Sequence, residues 1–501
     1  MKPRIFLLGW VRKIRVIGFS VAGSMLLATG AWAQVTFTVN TQDDGVDINP
    51  IDGVCSTVPP PAPPICTLRA AVMQANRMSN AGSIINLPPG TYTLIIPASL
   101  ADGEENGDLN LAIPSGYYPG PTMIIGAGAA NTIIDAHGVD RVFRVDAGRS
   151  VSITGVSMID GLVQSYDGGG ISNAGNLVLS DCIVRHNSAV FLNGHGGFGG
   201  GIVNLGVLQA TRVTFSDNHA SGNGGGIFVS TTGTLTLSRS TLSANTASSG
   251  GGIELDSNSD SPRASTVEFS TFADNTASYE GGGLVISGPS LAIASSTVSR
   301  NKAYFGGGLS AHGSLSITNS TISQNQASTH GGGIYNDGVA KVYNSTIAYN
   351  QADSDANGFG DGGGVWNLSD KIFEVHNTIL AGNRLVFDNS NSDCYGFLVL
   401  YGVTGFEGGE QCSGVGSVIF IDSAKELGTL KDNGGPTETI ALLPPSTLIG
   451  NGAAEECNDA NGHHLASDQR GNSRPPILQA CDIGAFEYNE LFRSAFDLPI
   501  P

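Results

Sequence analysis

Charge is scarce in this sequence. Asp, Glu, Lys and Arg make up 13% of the 501 residues, where about 25% is usual for a soluble domain, so Ser, Thr and Asn have to carry the polar surface. Basic residues are the scarcer sign, 24 against 43 acidic, for a net charge of −19. With the five basic residues among the first 33 positions set aside, 19 basic residues face 43 acidic ones, a net of −24. Such a balance excludes nucleic acid and anionic membrane as partners and leaves cations and neutral glycans. Long apolar runs are missing after Leu27: none approaches the ~20 residues a membrane-spanning helix needs.

Glycine, by contrast, is abundant, at 70 residues, and it is periodic. A Gly-Gly-Gly-aliphatic tetrad ends at Ile171, Ile202, Ile227, Ile253, Leu284, Leu309, Ile334 and Val365, at separations of 31, 25, 26, 31, 25, 25 and 31 residues. A fixed period of this size is one coil of a solenoid. Between tetrads the chain alternates aliphatic and polar residues over short runs such as Leu235-Thr-Leu237 and Ser240-Thr241-Leu242, the pattern of short strands joined at tight corners. Three short strands per coil, stacked on their equivalents, predict an all-β right-handed parallel β-helix. The rod from Ile84 to Asn383 would be roughly 55 Å long at ~4.8 Å per coil.

An asparagine column accompanies the tetrads. Asn187, Asn218, Asn245, Asn275, Asn301, Asn325, Asn350 and Asn383 each follow an aliphatic residue or Phe by three positions, and stacked amides can pass hydrogen bonds from coil to coil at an inward corner. An unpaired polar group there would cost about 1–3 kcal/mol. The glycines serve the other corner, where backbones approach closely. A phosphate-cradling loop would need one strand, one helix and a Lys, which eight Lys-free copies do not supply.

Residues 1–33 read as an export signal: Lys2, Arg4, Arg12, Lys13 and Arg15 precede the apolar run Val16 to Leu27, and Ala31-Trp32-Ala33 forms a small-x-small cleavage site. The mature chain would start at Gln34, with no Cys at that site to accept lipid, and would be secreted or held at a cell surface. Export permits disulfides, and local pairs are expected for Cys55 with Cys66, Cys394 with Cys412, and Cys457 with Cys481. Cys182 falls in a column of small residues with Ser240, Ser270, Ser296, Ser320 and Ser345 and reads as a buried thiol.

Two flanking segments resemble known modules. Asp44 to Cys55 followed by Cys66-Thr-Leu-Arg-Ala-Ala-Val-Met-Gln-Ala-Asn76 is similar to the CSLREA domain, which begins many exported β-helix proteins. The resemblance implies an N-terminal cap over residues 34–82, with a helix over 67–77 whose Leu68, Ala71, Val72 and Ala75 cover the open end of the solenoid. An uncovered end is a sheet edge that invites polymerisation. The family's Ser-x-x-Glu capping box departs here: Thr67 keeps the cap and Ala70 replaces the Glu. Asp432-Asn-Gly-Gly-Pro436, Asp468-Gln-Arg-Gly471 and Cys481-Asp-Ile-Gly-Ala-Phe-Glu487 resemble the choice-of-anchor Q domain, implying a C-terminal sealing segment over 386–488 after repeats at 83–385. The tail 489–501 has no apolar stretch or basic terminus, so a sortase-type anchor is not expected. Phe215-Ser-Asp-Asn218 and Phe272-Ala-Asp-Asn275 are similar to the repeats of polymorphic outer-membrane adhesins, without the membrane barrel of those proteins.

Function is expected where the spacing departs from 25. Insertions in a solenoid become loops on a face, here near Val190 to Phe198, Asp256 to Ala264, and Asp353 to Asp361. The first and third share a phase and carry Phe191, His195, Phe198, Asp353, Asp355, Phe359 and Asp361, a mix suited to sugar or cation contact. A calcium loop is a second candidate, with Asp43, Asp44, Asp47, Asn49 and Asp52 as oxygen ligands, although the spacing is not that of an EF-hand. Asp181, Arg212 and Arg239 share a phase, as a substrate clamp or a surface ion pair. No catalytic residues are assigned. The expectation is a monomeric, adhesin-like surface protein that contacts a glycan or another surface ligand. A polysaccharide lyase or glycoside hydrolase, which would need converging carboxylates or a cation-assisted base, is the competing class.

Overall fold

A computed structural model describes residues 34–488 except 79–81, 100–102, 257–263, 289 and 410–411. Residues 1–33, expected to be an export signal, the tail and most of the loop between Asp256 and Ala264 therefore lie outside the described residues. The repeats form a parallel β-helix. A representative coil runs through a five-residue strand (Thr234–Ser238), a three-residue strand (Thr241–Ser243), a short strand (Thr246–Ser249), the glycine corner, and the strand that the tetrad opens (Ile253–Leu255). The coil thus has four strands where the sequence pattern predicted three. The x-Ala segment after each Asn pairs with its equivalents as a separate nine-stranded sheet, burying a column that includes Ala189, Ala220, Ala277, Ala303, Ala327 and Ala352.

Alternation places one side of every strand inside. On the five-residue face a column of inward residues passes in register from Phe37 through Ile85, Ile124, Ile153 and Leu179 to Ile317, Val342, Val375 and Leu400. The glycine corner sets how closely successive coils approach. Gly250 has φ +61°, a left-handed conformation open to glycine at little cost. A Cβ on Gly252 would lie 2.5 Å from the carbonyl of Gly283 in the next coil, so a side chain there would push the coils apart.

The asparagine column forms the opposite corner. Asn245 donates from its backbone N and its Nδ2 to Asn275 Oδ1, at 3.0 and 2.9 Å, and from Nδ2 to the Phe215 carbonyl at 3.0 Å. The same connection runs from Asn187 to Asn383, where Asp393 Oδ1 receives both N–H groups at 3.1 and 2.9 Å. Asp393 Oδ2 accepts from Glu407 N and Gly408 N at 3.0 and 2.8 Å. The serines stack similarly, each hydroxyl accepting from the backbone N of the previous coil, as Ser270 Oγ does from Ser240 N at 3.1 Å.

At the N-terminal end the helix Leu68–Ala75 is buried along its whole length, and Thr67 Oγ1 accepts from Ala70 N at 3.1 Å. Arg69 anchors it through Asp44 at 2.7 and 3.1 Å and through the carbonyls of Gly107 and Asp108. The three disulfides pair Cys55 with Cys66, Cys394 with Cys412 and Cys457 with Cys481.

Only the first part of the C-terminal segment sits at the far end of the solenoid. There a single long strand, Cys394–Phe406, pairs in turn with Val365, with Glu374–His376 and with Ile379, and Cys412–Phe420 runs beside it, largely exposed. From Ile421 the chain turns back along the three-residue face. Asn319 Nδ2 donates to Ser467 O at 2.7 Å, Asn344 Nδ2 to Glu456 O and Asn458 O at 3.0 Å, and Asn377 Nδ2 to Ala453 O at 2.8 Å. The covered coils present Ser299, Ser323, Ala348 and Ala381, all fully buried, whose small side chains leave room for Leu448, Ile483 and Phe486. Arg474 joins this segment to the solenoid, bonding Glu487 Oε2 at 2.8 Å and Asn319 Oδ1 at 3.0 Å.

Two outcomes follow. Burial pushes the Asp393 carboxyl up to about 7, while the unfolded chain releases the same proton near pH 4. Stability therefore falls, by up to about 1.4 kcal/mol per pH unit, as pH rises from about 4 to about 7, and it is independent of this group above that range. Glu254 and Glu487, also raised by burial, add slopes of the same sign, so denaturant unfolding across this range should show a shallower slope in Asp393→Leu than in the natural protein. Arg474→Met leaves Glu487 buried without its cation, a change worth about 3–5 kcal/mol. Limited proteolysis should then remove residues after Ile421 at a protease concentration that leaves the natural protein intact.

Candidate ligand-binding groove

The residue after each tetrad points outward, because the aliphatic residue before it points in. The strands opened by the tetrads stack in register, so these outward residues form one line along the rod: Arg144, Ser172, Val203, Phe228, Glu254, Val285, Ser310, Tyr335, Trp366 and Tyr395. Nine inter-strand steps give a floor roughly 43 Å long. The row of residues preceding the tetrads flanks it, including Asp167, Phe198, Asn223, Glu280, Phe305, His330 and Asp361.

The N-terminal part opens into a groove of about 1240 Å³ whose lining includes Asp140, Arg141, Arg144, Gln164, Tyr166 and Asp167. Both arginines are engaged, Arg141 with Asp108 at 2.7 Å and Arg144 with Asp146 at 3.1 Å. Asp167 accepts from Phe198 N at 3.0 Å, and burial holds its carboxyl above the usual range.

Carboxylates and aromatics gather in the middle and C-terminal coils. Phe198 stacks on Phe228 at 5.0 Å. Glu254 is only 6% exposed. Its Oε1 accepts from Asn223 Nδ2 at 2.8 Å, while its Oε2 has no partner. Burial pushes this carboxyl up to about 8, with the negative charges of Glu280 and Asp256 adding to the shift. Glu280 Oε2 lies 2.7 Å from His312 Nε2 and accepts from Ser310 Oγ at 3.0 Å. The hydrogen bond to Glu280 raises His312 above its ordinary value, and Asp337, 3.5 Å from Nδ1, raises it further. Lys371 bonds Asp337 at 3.3 Å.

Beyond them runs an aromatic ladder. Tyr335 and Trp366 stack at 4.6 Å and 5°, and Trp366 and Tyr395 at 5.8 Å and 6°. His330 stacks on Trp366 at 5.3 Å, and its Nδ1 accepts from Asp361 N at 3.1 Å. The stacked rings spend their faces on one another, which leaves ring edges for a ligand.

Phe198 and Asp361 are the sequence-predicted binding residues that border this groove. Phe191 is 55% exposed and Phe359 76% exposed, on separate loops, and His195 closes the tip of the first loop by exchanging backbone hydrogen bonds with Leu192. Both loops do leave from one corner, after Ala189 and Ala352, but six coils separate them, about 29 Å, so the seven residues do not converge. Asp353 is 1% exposed and accepts from the backbone N of Asn357 and Gly358. Asp355 accepts from Asn357 Nδ2 at 2.8 Å. Both carboxylates shape their own loop.

The candidate calcium ligands are engaged within the N-terminal segment. Asp44 is spent on Arg69 and on the backbone N of Ile95 and Ile96. Asp47 accepts from Asn49 N and Ser56 N, Asp52 from Val54 N and from Asn49 Nδ2, and Asp43 from Thr41 Oγ1. Among the described residues no group of three or more His, Cys, Asp or Glu side chains could hold a metal ion. The Asp181, Arg212 and Arg239 trio divides: Arg212 bonds Asp181 at 2.6 and 2.7 Å with both exposed, and Arg239 lies over the Phe269 ring at 4.8 Å. Cys182 is buried and unpaired, and burial raises its thiol.

A family model described as the right-handed β-helix region matches residues 130–298 and 207–385, together just over half of the chain. No curated protein sequence matches. Two solved structures are similar: pectate lyase Pel9A, at 15% identity and TM-score 0.37 over 91% of this chain and 98% of that one, and the A-module of mannuronan C-5 epimerase AlgE6 from Azotobacter vinelandii, at 13% identity and TM-score 0.38 over 77% and 99%. Similarity at this level carries no residue roles across.

The ladder sets an expectation for stability. Trp366→Ala removes three ring contacts, each worth about 0.5–1.5 kcal/mol beyond buried area, and should lower unfolding free energy by about 2–4 kcal/mol. Phe359→Ala should change it by less than about 0.5 kcal/mol. Parallel denaturant titrations compare the two.

Proposed function

The chain belongs to the right-handed β-helix family, and from that premise we propose that it is a surface-binding, adhesin-like protein that holds an extended polysaccharide along the tetrad face. One observation carries the reading: the outward line of that face carries partly exposed aromatic rings at Tyr335, Trp366 and Tyr395 and enters the groove at its N-terminal end, where Arg144 and Ser172 line it. Ring edges that carry phenol and indole groups suit a polyhydroxylated chain. The negative charge of the molecule turns away nucleic acid and anionic membrane.

Residues 1–33, read as an export signal, support secretion or display at a cell surface. Among the described residues no helix is long and apolar enough to cross a membrane. The capped helix Leu68–Ala75 supports reading residues 34–82 as a CSLREA-like cap. The Arg474–Glu487 and Arg470–Asp468 pairs, at 2.8 and 2.6 Å, support reading the C-terminal segment as a choice-of-anchor Q-like module.

Cleavage of the bound chain is the second reading, as a polysaccharide lyase or glycoside hydrolase. Glu254 favours it, as a carboxyl that keeps its proton at neutral pH beside the Glu280–His312 pair, the kind of contrast general acid catalysis uses. A glycan array run beside a reducing-end assay separates the two. Binding predicts retention without new reducing ends, and Trp366→Ala weakens retention at least about tenfold while Phe359→Ala leaves it unchanged. New reducing ends would establish the enzyme instead, and no retention of any glycan would overturn the groove as a binding site.

A further inference from the structure

The groove is acidic, and its cations are already spent. Arg141, Arg144 and Lys371 pair with Asp108, Asp146 and Asp337 at 2.7, 3.1 and 3.3 Å, and His312 pairs with Glu280 at 2.7 Å. A ligand carboxylate lying here would find no unengaged arginine or lysine among these residues. It would instead meet Asp140, Asp146 and Asp167 in the groove and Glu280, Asp337 and Asp361 farther along the face.

Glu254 supplies the second indication. A carboxyl oxygen that is buried and unpartnered is costly, and it sits in the outward line of the tetrad face with Glu280 and Asp256 close enough to repel its charge. His312 already holds Glu280 Oε2 at 2.7 Å and favours the ionised form of Glu254, and an ammonium group at the other Glu280 oxygen would add to that attraction. A hydroxyl at that place offers a hydrogen bond without this charge compensation, and a uronate would add to the repulsion.

We propose, resting on the reading of the tetrad face as a polysaccharide groove, that its ligand is an amino-sugar polymer with free ammonium groups, one of which is held at Glu280 above Glu254.

The test is titration calorimetry of the mature full-length chain with three probes: chitosan oligomers, their fully N-acetylated counterparts and polygalacturonate oligomers. The chitosan oligomer should bind at least about tenfold more tightly than the acetylated one, and polygalacturonate should not bind. Glu254→Gln/Glu280→Gln should erase that tenfold preference. Asp217→Asn/Asp274→Asn, which removes two acidic groups from exposed corners of another face, should keep it. Circular dichroism of each variant confirms folding, and Glu280→Gln alone serves should the double variant unfold. Equal affinity for both forms, or an equal loss in the Asp217/Asp274 control, would overturn the ammonium site while leaving a glycan groove standing. Preference for polygalacturonate would overturn it as well. Failure of all three probes, together with no retention on a broad glycan array, would overturn the groove and this inference together.

Discussion

Each coil of this protein must lie within hydrogen-bonding distance of the next at two corners simultaneously, and that constraint governs everything else in the structure. At one corner the triple glycines let backbones meet without side chains between them. At the other, the asparagines hold the spacing from inside, each Oδ1 receiving two N–H groups from the coil before. Neither corner suffices alone. Glycine permits close approach without specifying register, and the amide column specifies register only if approach is already close. Because both repeat, a residue placed outward on one coil stands directly beside its equivalent on the next, which is how single residues spaced 25 to 31 positions apart come to form one line.

That geometry also explains what was legible in the sequence. The solenoid and its inward asparagine column were readable because each is a repeated demand on residue type at a fixed phase, and the cap helix through the resemblance of Cys66 to Asn76 to a known module. The fourth strand was not, since two-residue pairs such as Lys302–Ala303 lack enough alternation to be seen. The path of the C-terminal segment left a fainter trace. The left-handed corner before the three-residue strand is occupied by Asp181, Arg212, Arg239 and Phe269 in the early coils and by Asn319, Asn344 and Asn377 in the late ones. The switch to Asn marks where a neighbour would come to be held through its backbone, but asparagine is equally at home in any left-handed turn.

The functional face was the least visible, for a specific reason. The tetrads were legible as scaffold, and the residue following each one was absorbed into that scaffold. Only the outward line read as a column, with Glu254, Ser310, Tyr335 and Trp366 as neighbours, shows a change of chemistry along the rod. The longer coils drew notice because insertions usually carry function. Their acidic residues Asp353 and Asp355 prove to be turn formers, whereas Phe198 and Asp361, at the ends of the same insertions, border the groove. The breaks in period thus point toward the right corner, with the ligand floor one strand further on.

The central claim is that a ligand lies along the tetrad face. Hydrogen–deuterium exchange of the mature protein, with and without a saturating polysaccharide that it retains, tests this most directly. The account predicts slowed exchange in the strands Ile253–Leu255, Leu284–Ile286, Leu309–Ala311, Ile334–Asn336 and Val365–Asn367 and in the residues before their tetrads. Slowed exchange confined to the loop tips around Phe191 and Phe359, or to the face under the C-terminal segment, would contradict it.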